Sequence, residues 1–417
     1  MYVLYTINIM LFIILTFSKV YYLTKFFKFT LLNPITIPFI ITLPVLIMTI
    51  FAGPLFILQK GLFDYWFNYA LCMTNISLFF SLLLVIITLK FSNKNNFIKY
   101  KFMSIMRPVK LKKNRMLFSS IFFLLLFFLT FILLTRDFGL LNWIANPREG
   151  YQLHRVGNGQ WYALSLLFLS VSFTLIMVYT KTVLKTIFVF FFYAFLIFFL
   201  GSKGFVLSYF IFFLIILWYR KSKYFKKLFL ILPPIGFFLL ILNFNPNNLA
   251  DIFKYFDHYI NSAMYYEAYS KGEIKLYYGY IWISDFYHYL PRILFPDKPY
   301  IYGLLHVNEF FWPGAAELTN TPAFGGPLAA FADFGILGVL LSSLFNLSLF
   351  VEIIFYFILY RDNSLNNIRE NSNKLYLFIW ILAPSFMIFF GSLYMIILFI
   401  LIIKIIATFN KLKIGFK

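Results

Sequence analysis

Most of what builds a soluble enzyme is scarce in this sequence. A single cysteine, Cys72, lies inside an apolar run, so internal disulfides and cysteine-ligated metals are excluded. Charged residues make up 12% of the chain, against roughly a quarter in a soluble domain. Acids are the rarer sign, 15 Asp and Glu against 36 Lys and Arg. There is no Asp-x-Asp, no His-x-x-Glu-His and no cluster of acids with coordination spacing, and no phosphate-binding Gly-rich loop ending in Gly-Lys-Ser/Thr. The residues therefore point to no metal, no cofactor and no ATP. No internal repeat is visible either, which weighs against transporter folds built from duplicated halves.

What remains is hydrophobic: 62% of residues are apolar, with a mean hydropathy of +0.84. Runs of roughly 17–25 apolar residues are long enough to cross a bilayer. They fall near 3–23, 35–58, 67–89, 117–135, 161–180, 186–200, 204–219, 228–243, 336–360, 375–391 and 392–410. The expected fold is an all-α polytopic membrane protein. It has about 11 transmembrane helices (10–12), with 1–417 as a single integral membrane domain. The break Gly201-Ser202-Lys203-Gly204 divides what would otherwise be one over-long run into two short helices. The first run lacks a basic n-region and a small-residue cleavage site, and is read as a retained span.

Charge orients the spans. Connectors at Lys25 and Lys28, Lys90 to Arg115, Lys181 and Lys185, Arg220 to Lys227, Arg361 to Lys374, and Lys411 to Lys417 carry 24 basic residues. Only two acids, Asp362 and Glu370, accompany them. The other side carries ten basic and twelve acidic residues. The positive-inside rule places the amino terminus outside and the carboxy terminus in the cytoplasm. A net charge of +21 lodged in such connectors does not indicate nucleic-acid binding. Two outer loops follow, 136–160 and a large one at 244–335 between the eighth and ninth spans.

All four histidines, His154, His258, His288 and His306, fall in those two loops, as do twelve of the 30 tyrosines, between Tyr255 and Tyr302. Histidine titrates near neutral pH and suits general-base work. His154 stands beside Arg155, and His306 lies three residues before Glu309, one helical turn if that segment is helical. Asp285, Asp297 and Glu317 are further carboxylate candidates, and any one loop histidine is as readily a solvated one. Tyrosine and tryptophan offer flat faces to sugars, yet also form the interfacial belts of ordinary membrane proteins. Within the spans Glu352 is the deepest charge, read as paired with another helix.

The large loop reads Pro291-Arg292-Ile293-Leu294-Phe295-Pro296-Asp297-Lys298-Pro299, then Thr321-Pro322-Ala323-Phe324-Gly325-Gly326, then Asp333-Phe334-Gly335-Ile336-Leu337-Gly338. Upstream stand Asn146-Pro147-Arg148-Glu149-Gly150-Tyr151, His154-Arg155-Val156-Gly157 and the Gly201–Gly204 turn. In this order, over about residues 140–340, the text resembles the bacterial oligosaccharide repeat-unit polymerases, the Wzy-type O-antigen polymerases. Their loops carry a Pro-Arg-x-x-Phe-Pro-x-Lys-Pro element, a Thr-Pro-x-Phe stretch and a Phe-Gly-x-x-Gly helix start.

The resemblance implies polymerisation of undecaprenyl-pyrophosphate-linked repeat units into O-antigen, capsule or exopolysaccharide at the outer face of the bacterial inner membrane. Partners would be the lipid-linked oligosaccharide, membrane lipid, a chain-length regulator and a flippase. Such a site needs cations for the departing pyrophosphate, for which arginine's planar fork is best suited. Arg148, Arg155, Lys203, Arg292 and Lys298 are the substrate-binding candidates; His154, His306 and Glu309 are the catalytic ones. Each cation has a plainer alternative: a snorkelling anchor, or a neighbour of Glu149 or Asp297. Two other readings stay open, an O-antigen-ligase-type transferase and a lipid-linked glycan transporter or flippase.

Overall fold

The computed structural model describes residues 2–27, 65–94, 113–153, 159–180, 182–201, 258–290, 294–315 and 322–345. It also describes scattered positions between 205 and 225 and between 401 and 408. The expected spans at 35–58, 228–243 and 375–391 lie outside them. Every regular element among the described residues is helical. In chain order these are α1 (Tyr2–Phe27), α2 (Tyr65–Lys94), α3 (Lys113–Leu134), α4 (Leu140–Ala145), α5 (Pro147–Leu153) and α6 (Gly159–Tyr179). There follow α7 (Val183–Phe198), α8 (His258–Ser270), α9 (Tyr280–Ser284) with a 3-10 turn at Asp285–Tyr289, α10 (Leu305–Phe311) and α11 (Leu328–Leu344). Four stretches are long and apolar enough to cross a membrane: Val3–Tyr22, Tyr65–Thr88, Arg115–Leu134 and Gly159–Met177. Val183–Phe198 and Leu328–Leu344 are shorter apolar helices. The described residues are thus all-helical, and their four apolar stretches are those of a multi-pass membrane protein.

The chain divides into two compact units. One comprises residues 1–96, 231–290 and 297–355; the other 97–230, 291–296 and 356–417.

In the first unit α2 is the hub, packed by α1, α8 and α11. Lipid cannot drive apolar helices together, so small and polar side chains carry the contacts. Asn75 Nδ2 donates to the Asn8 carbonyl at 2.9 Å and Asn8 Nδ2 to the Asn68 carbonyl at 3.3 Å, fixing α1 on α2. Ser343 Oγ donates to Ser77 Oγ at 2.8 Å, fixing α11. Where α8 meets α2 and α11 the core is aromatic: Tyr266 meets the Phe331 ring edge-on at 4.7 Å and Tyr69 at 5.0 Å.

The second unit is built on α3 and α6. Ser120 and Ser172 each donate a hydroxyl to the other's carbonyl, at 2.9 and 2.7 Å, and Ser165 donates to Thr130 Oγ1 at 3.0 Å. These small residues let two Phe- and Leu-rich helices approach closely.

Candidate functional site

Within the first unit, the histidine-bearing loop is organised by a break in α11. Apolar Leu328–Leu344 forms a helix, but Phe334 (φ −133°, ψ 18°) and Gly335 (φ 63°, ψ −146°) leave helical geometry. The Gly335 conformation is accessible essentially to glycine alone. Gly338 then comes so close to Ala330 that an added Cβ would run into that residue's backbone carbonyl. The Phe-Gly-x-x-Gly text therefore sits at the kink between two helices, the second of which starts after Gly335. A first helix runs from Leu328 to the kink, and the second begins beyond Gly335, where the expected span opens at 336.

The break frees carbonyls that an unbroken helix would use. Tyr277 N–H donates to Ala332 O at 2.8 Å and Tyr278 N–H to Asp333 O at 2.9 Å. The Asp333 side chain, 2% exposed, completes the joint. Its carboxylate accepts the backbone N–H of Gly279 (3.1 Å), Ile281 (3.0 Å) and Trp282 (2.8 Å), the first turn of α9. These are donors a short helix cannot satisfy for itself. Gly279 takes φ 90° against the Phe334 ring, and Tyr278 is held at φ 50°, unusual for a side chain of its size.

This joint sets Tyr280 over His306. Their ring centroids are 4.8 Å apart, and Tyr277 lies on the same imidazole at 6.2 Å, its hydroxyl donating to the His306 carbonyl at 3.4 Å. α10, which carries His306, follows a turn in which Gly303 N–H donates to Ser284 Oγ at 3.0 Å. His306 Nε2 is buried without a hydrogen-bond partner. Burial also pushes the imidazole below its usual pKa and so favours the neutral form. Glu309 shares α10, but its Oε1 accepts Gly314 N–H at 2.7 Å, clasping the turn after the helix, while Oε2 is buried and unpartnered. Opposite, α8 is tied to the Pro322–Gly326 stretch. Asn261 Nδ2 donates to Ala323 O at 2.8 Å, Ser262 Oγ to Gly325 O at 2.8 Å, and Gly325 N–H to His258 O at 2.8 Å. The Pro-x-Phe-Gly-Gly part of the Thr-Pro-x-Phe-Gly-Gly text thus reads as a strap on α8.

Lys298 Nζ donates to Leu290 O at 3.1 Å and lies 4.7 Å from the Tyr302 ring centroid, so it helps close its own loop. Asp297 is exposed beside it, and the Asp285 carboxylate lies against Gly303. Arg148 belongs to the second unit. It is exposed on α5, 5.1 Å over the Tyr151 ring. Gly201, at φ 71°, packs on α5 against the Pro147 carbonyl and Tyr151 Cβ. Trp143, 1% exposed, seals this corner with its indole N–H on Phe199 O at 2.7 Å and its ring against Gly150. The Asn-Pro-Arg-Glu-Gly-Tyr and Gly-Ser-Lys-Gly texts, far apart in sequence, thus meet at Gly201. His154, Arg155, Lys203, Arg292 and Glu317 lie outside the described residues, as does the His288 side chain. Among the described residues no three His, Cys, Asp or Glu side chains are grouped to hold a metal ion.

Over 234 residues the chain is 31% identical to the O-antigen polymerase of Salmonella typhimurium strain LT2 and, equally, to that of Salmonella typhi. The matched stretch is 54% of this chain and 56% of each relative. The chain thus spans about half the length of the curated relatives it matches. It is similar to O-antigen polymerases. No family model matches it, and no solved structure does. Sequence reasoning missed Asp333 and Tyr280 as parts of the site. The available signal was an acid opening an apolar run with no basic residue near it.

Proposed function

We propose that the chain is a membrane glycosyltransferase that polymerises lipid-linked oligosaccharide repeat units at the outer face of the plasma membrane. The similarity to two O-antigen polymerases over 234 residues carries this reading. In it, a hydroxyl of the acceptor repeat unit attacks the anomeric carbon of the donor glycan. The anomeric C–O bond to undecaprenyl pyrophosphate breaks, its electron pair leaves with the pyrophosphate, and the hydroxyl proton passes to a base. His306 is the base we assign, since its Nε2 is unpartnered and its environment favours the neutral imidazole. Glu309 keeps one unpartnered oxygen and supports the same helix. Arg148, Arg155, Lys203 and Arg292 are assigned to the pyrophosphate, where fixed cations would stabilise the growing charge. Lys298 is assigned to its loop first. No step in this scheme is routed through a metal ion.

The test is deletion of the gene in its own host, with surface polysaccharide resolved on a gel. The expected product is an acceptor bearing one repeat unit, because transfer to the acceptor continues while extension stops. Loss of even the single unit would favour the ligase-type reading, and unchanged long chains would reject both. Orientation has its own check: cysteines at Asn93 should label from the cytoplasm and those at Asn158 from outside.

A further inference from the structure

One surface of the first unit is left apolar by a segment that is otherwise tightly held. In α9 and the following turn, Ile281 and Ser284 point inward at 3% exposure each, anchored through Asp333. Outward point Trp282 at 77%, Ile283 at 65% and Phe286 at 63%, with Tyr278 at 76% just before α9. A mobile loop would hide such residues by collapsing onto itself. This one cannot, because three N–H bonds to Asp333 and two more to the Ala332 and Asp333 carbonyls fix its backbone. It continues an apolar face on α11, where Phe334, Ile336 and Leu337 are also exposed. The Gly279–Phe334 contact joins the two surfaces. Among the described outward residues from Tyr278 to Tyr287, Asp285 carries the charge, and it lies at the edge against Gly303.

We infer that Tyr278–Tyr287 is a membrane-seated wedge whose Trp282, Ile283 and Phe286 side chains lie among the lipids of the leaflet that α11 enters. The occupant is bilayer lipid because the patch runs unbroken into the exposed face of α11, an apolar helix that opens the span expected at 336–360. Its composition, Trp and Tyr with aliphatic residues, is that of the headgroup–hydrocarbon boundary. Seating the wedge fixes depth as well as position. Tyr280 is part of the same segment and rests on His306, so the histidine is held at the headgroup level, where a lipid-linked pyrophosphate lies. The wedge itself stands independently of the catalytic reading.

The experiment uses the full chain in nanodiscs of phosphatidylcholine, with Cys72→Ser and a single cysteine at Ile283 or Phe286 carrying an environment-sensitive fluorophore. Replacing the lipid with one brominated along its acyl chains should quench both probes and leave probes at Glu273 and Lys275 unaffected. Emission from the first two should also lie to the blue of the second two. In unlabelled protein, Trp282→Phe should remove part of the lipid-quenchable tryptophan emission, which guards against a label that disturbs the segment. Probes at positions 283 and 286 that escape brominated lipid overturn the inference. Energy transfer between labelled copies would then assign the patch to a second chain, and a response to lipid-free oligosaccharide would assign it to glycan.

Discussion

Replacing Asp333 by alanine should unlatch the loop that carries Tyr277–Trp282 without unfolding the membrane helices. The carboxylate accepts three backbone N–H groups, at 3.1, 3.0 and 2.8 Å, and those of Gly279 and Ile281 are buried. A buried donor stripped of its partner costs about 1–3 kcal/mol. Three would sum to about 3–9 kcal/mol, but water can reach the part-buried Trp282 donor, and removing the carboxylate relieves its own desolvation. A net local cost of about 3–5 kcal/mol follows, and at about 1.4 kcal/mol per tenfold this is at least a hundredfold more opening. Asp333→Asn keeps one oxygen for two donors and turns an amide N–H₂ toward the third, so about 1–3 kcal/mol is expected. Trypsin reads the difference. Lys275 is exposed two residues before the Tyr277 N–H···O bond, and cleavage there in detergent-solubilised protein tracks local opening. The order should be alanine fastest, asparagine intermediate, wild type slowest. Equal rates for all three would show that Asp333 is not what holds the loop, and the argument from its hydrogen bonds would fail.

Two glycines of α11 should fail for different reasons. Gly338→Ala meets backbone at Ala330, which cannot repack, so the variant should cost about 3 kcal/mol or more and express poorly; Gly335→Ala has room around it but an excluded backbone conformation, about 1–3 kcal/mol, visible as a lower melting temperature. For His306 the folded-state pKa is lowered, so the neutral base persists as pH falls below the usual histidine range. Chain extension in isolated membranes should therefore hold into mildly acidic pH, and the fold should lose stability only as pH drops below the unfolded imidazole's value of about 6.5, where the unfolded chain gains a proton the folded one resists. An acid limb at or above that pH would count against His306 as the base. Arg155→Lys and Arg292→Lys keep charge but lose the bidentate fork, so chain extension should fall by roughly 30- to 1000-fold, about 2–4 kcal/mol, if each grips pyrophosphate; long chains of normal banding from both would place that site elsewhere.

Composition was enough to read the parts of this fold where the bilayer dictates the answer. The runs near 3–23, 67–89, 117–135 and 161–180 coincide with helices, because a segment without water must satisfy its backbone internally. The loop was legible in its residues and not in its geometry. His306 and Glu309 stand one turn apart on α10, yet the Glu309 oxygen on Gly314 and the Tyr280 ring on His306 depend on turns at Gly303 and Gly279 that periodicity does not report. Lys298, legible as a substrate cation or a stabiliser of its own turn, bonds a carbonyl eight residues back, a contact set by the path of the loop. Asp333 was hidden for a different reason. Hydropathy scores it as a cost to a helix, whereas its charge is met by three N–H dipoles from another segment.

That last point explains why an apolar helix should be broken here at all. A site needs side chains held to within about half an ångström. A straight α11 would present only satisfied carbonyls and could grip nothing. By leaving helical geometry at Phe334 and Gly335, it exposes the Ala332 and Asp333 carbonyls and aims the Asp333 carboxylate at α9, so the loop is fastened by five hydrogen bonds to a rigid element. The glycines carry the cost: Gly335 supplies the conformation and Gly338 the close return past Ala330. The same break that orients Tyr280 on His306 also turns Trp282 and Ile283 outward, so one joint sets both the chemistry of the histidine and the apolar surface beside it. A substitution at the joint should therefore disturb chain extension and lipid contact together, whereas one at His306 alone should disturb only the first.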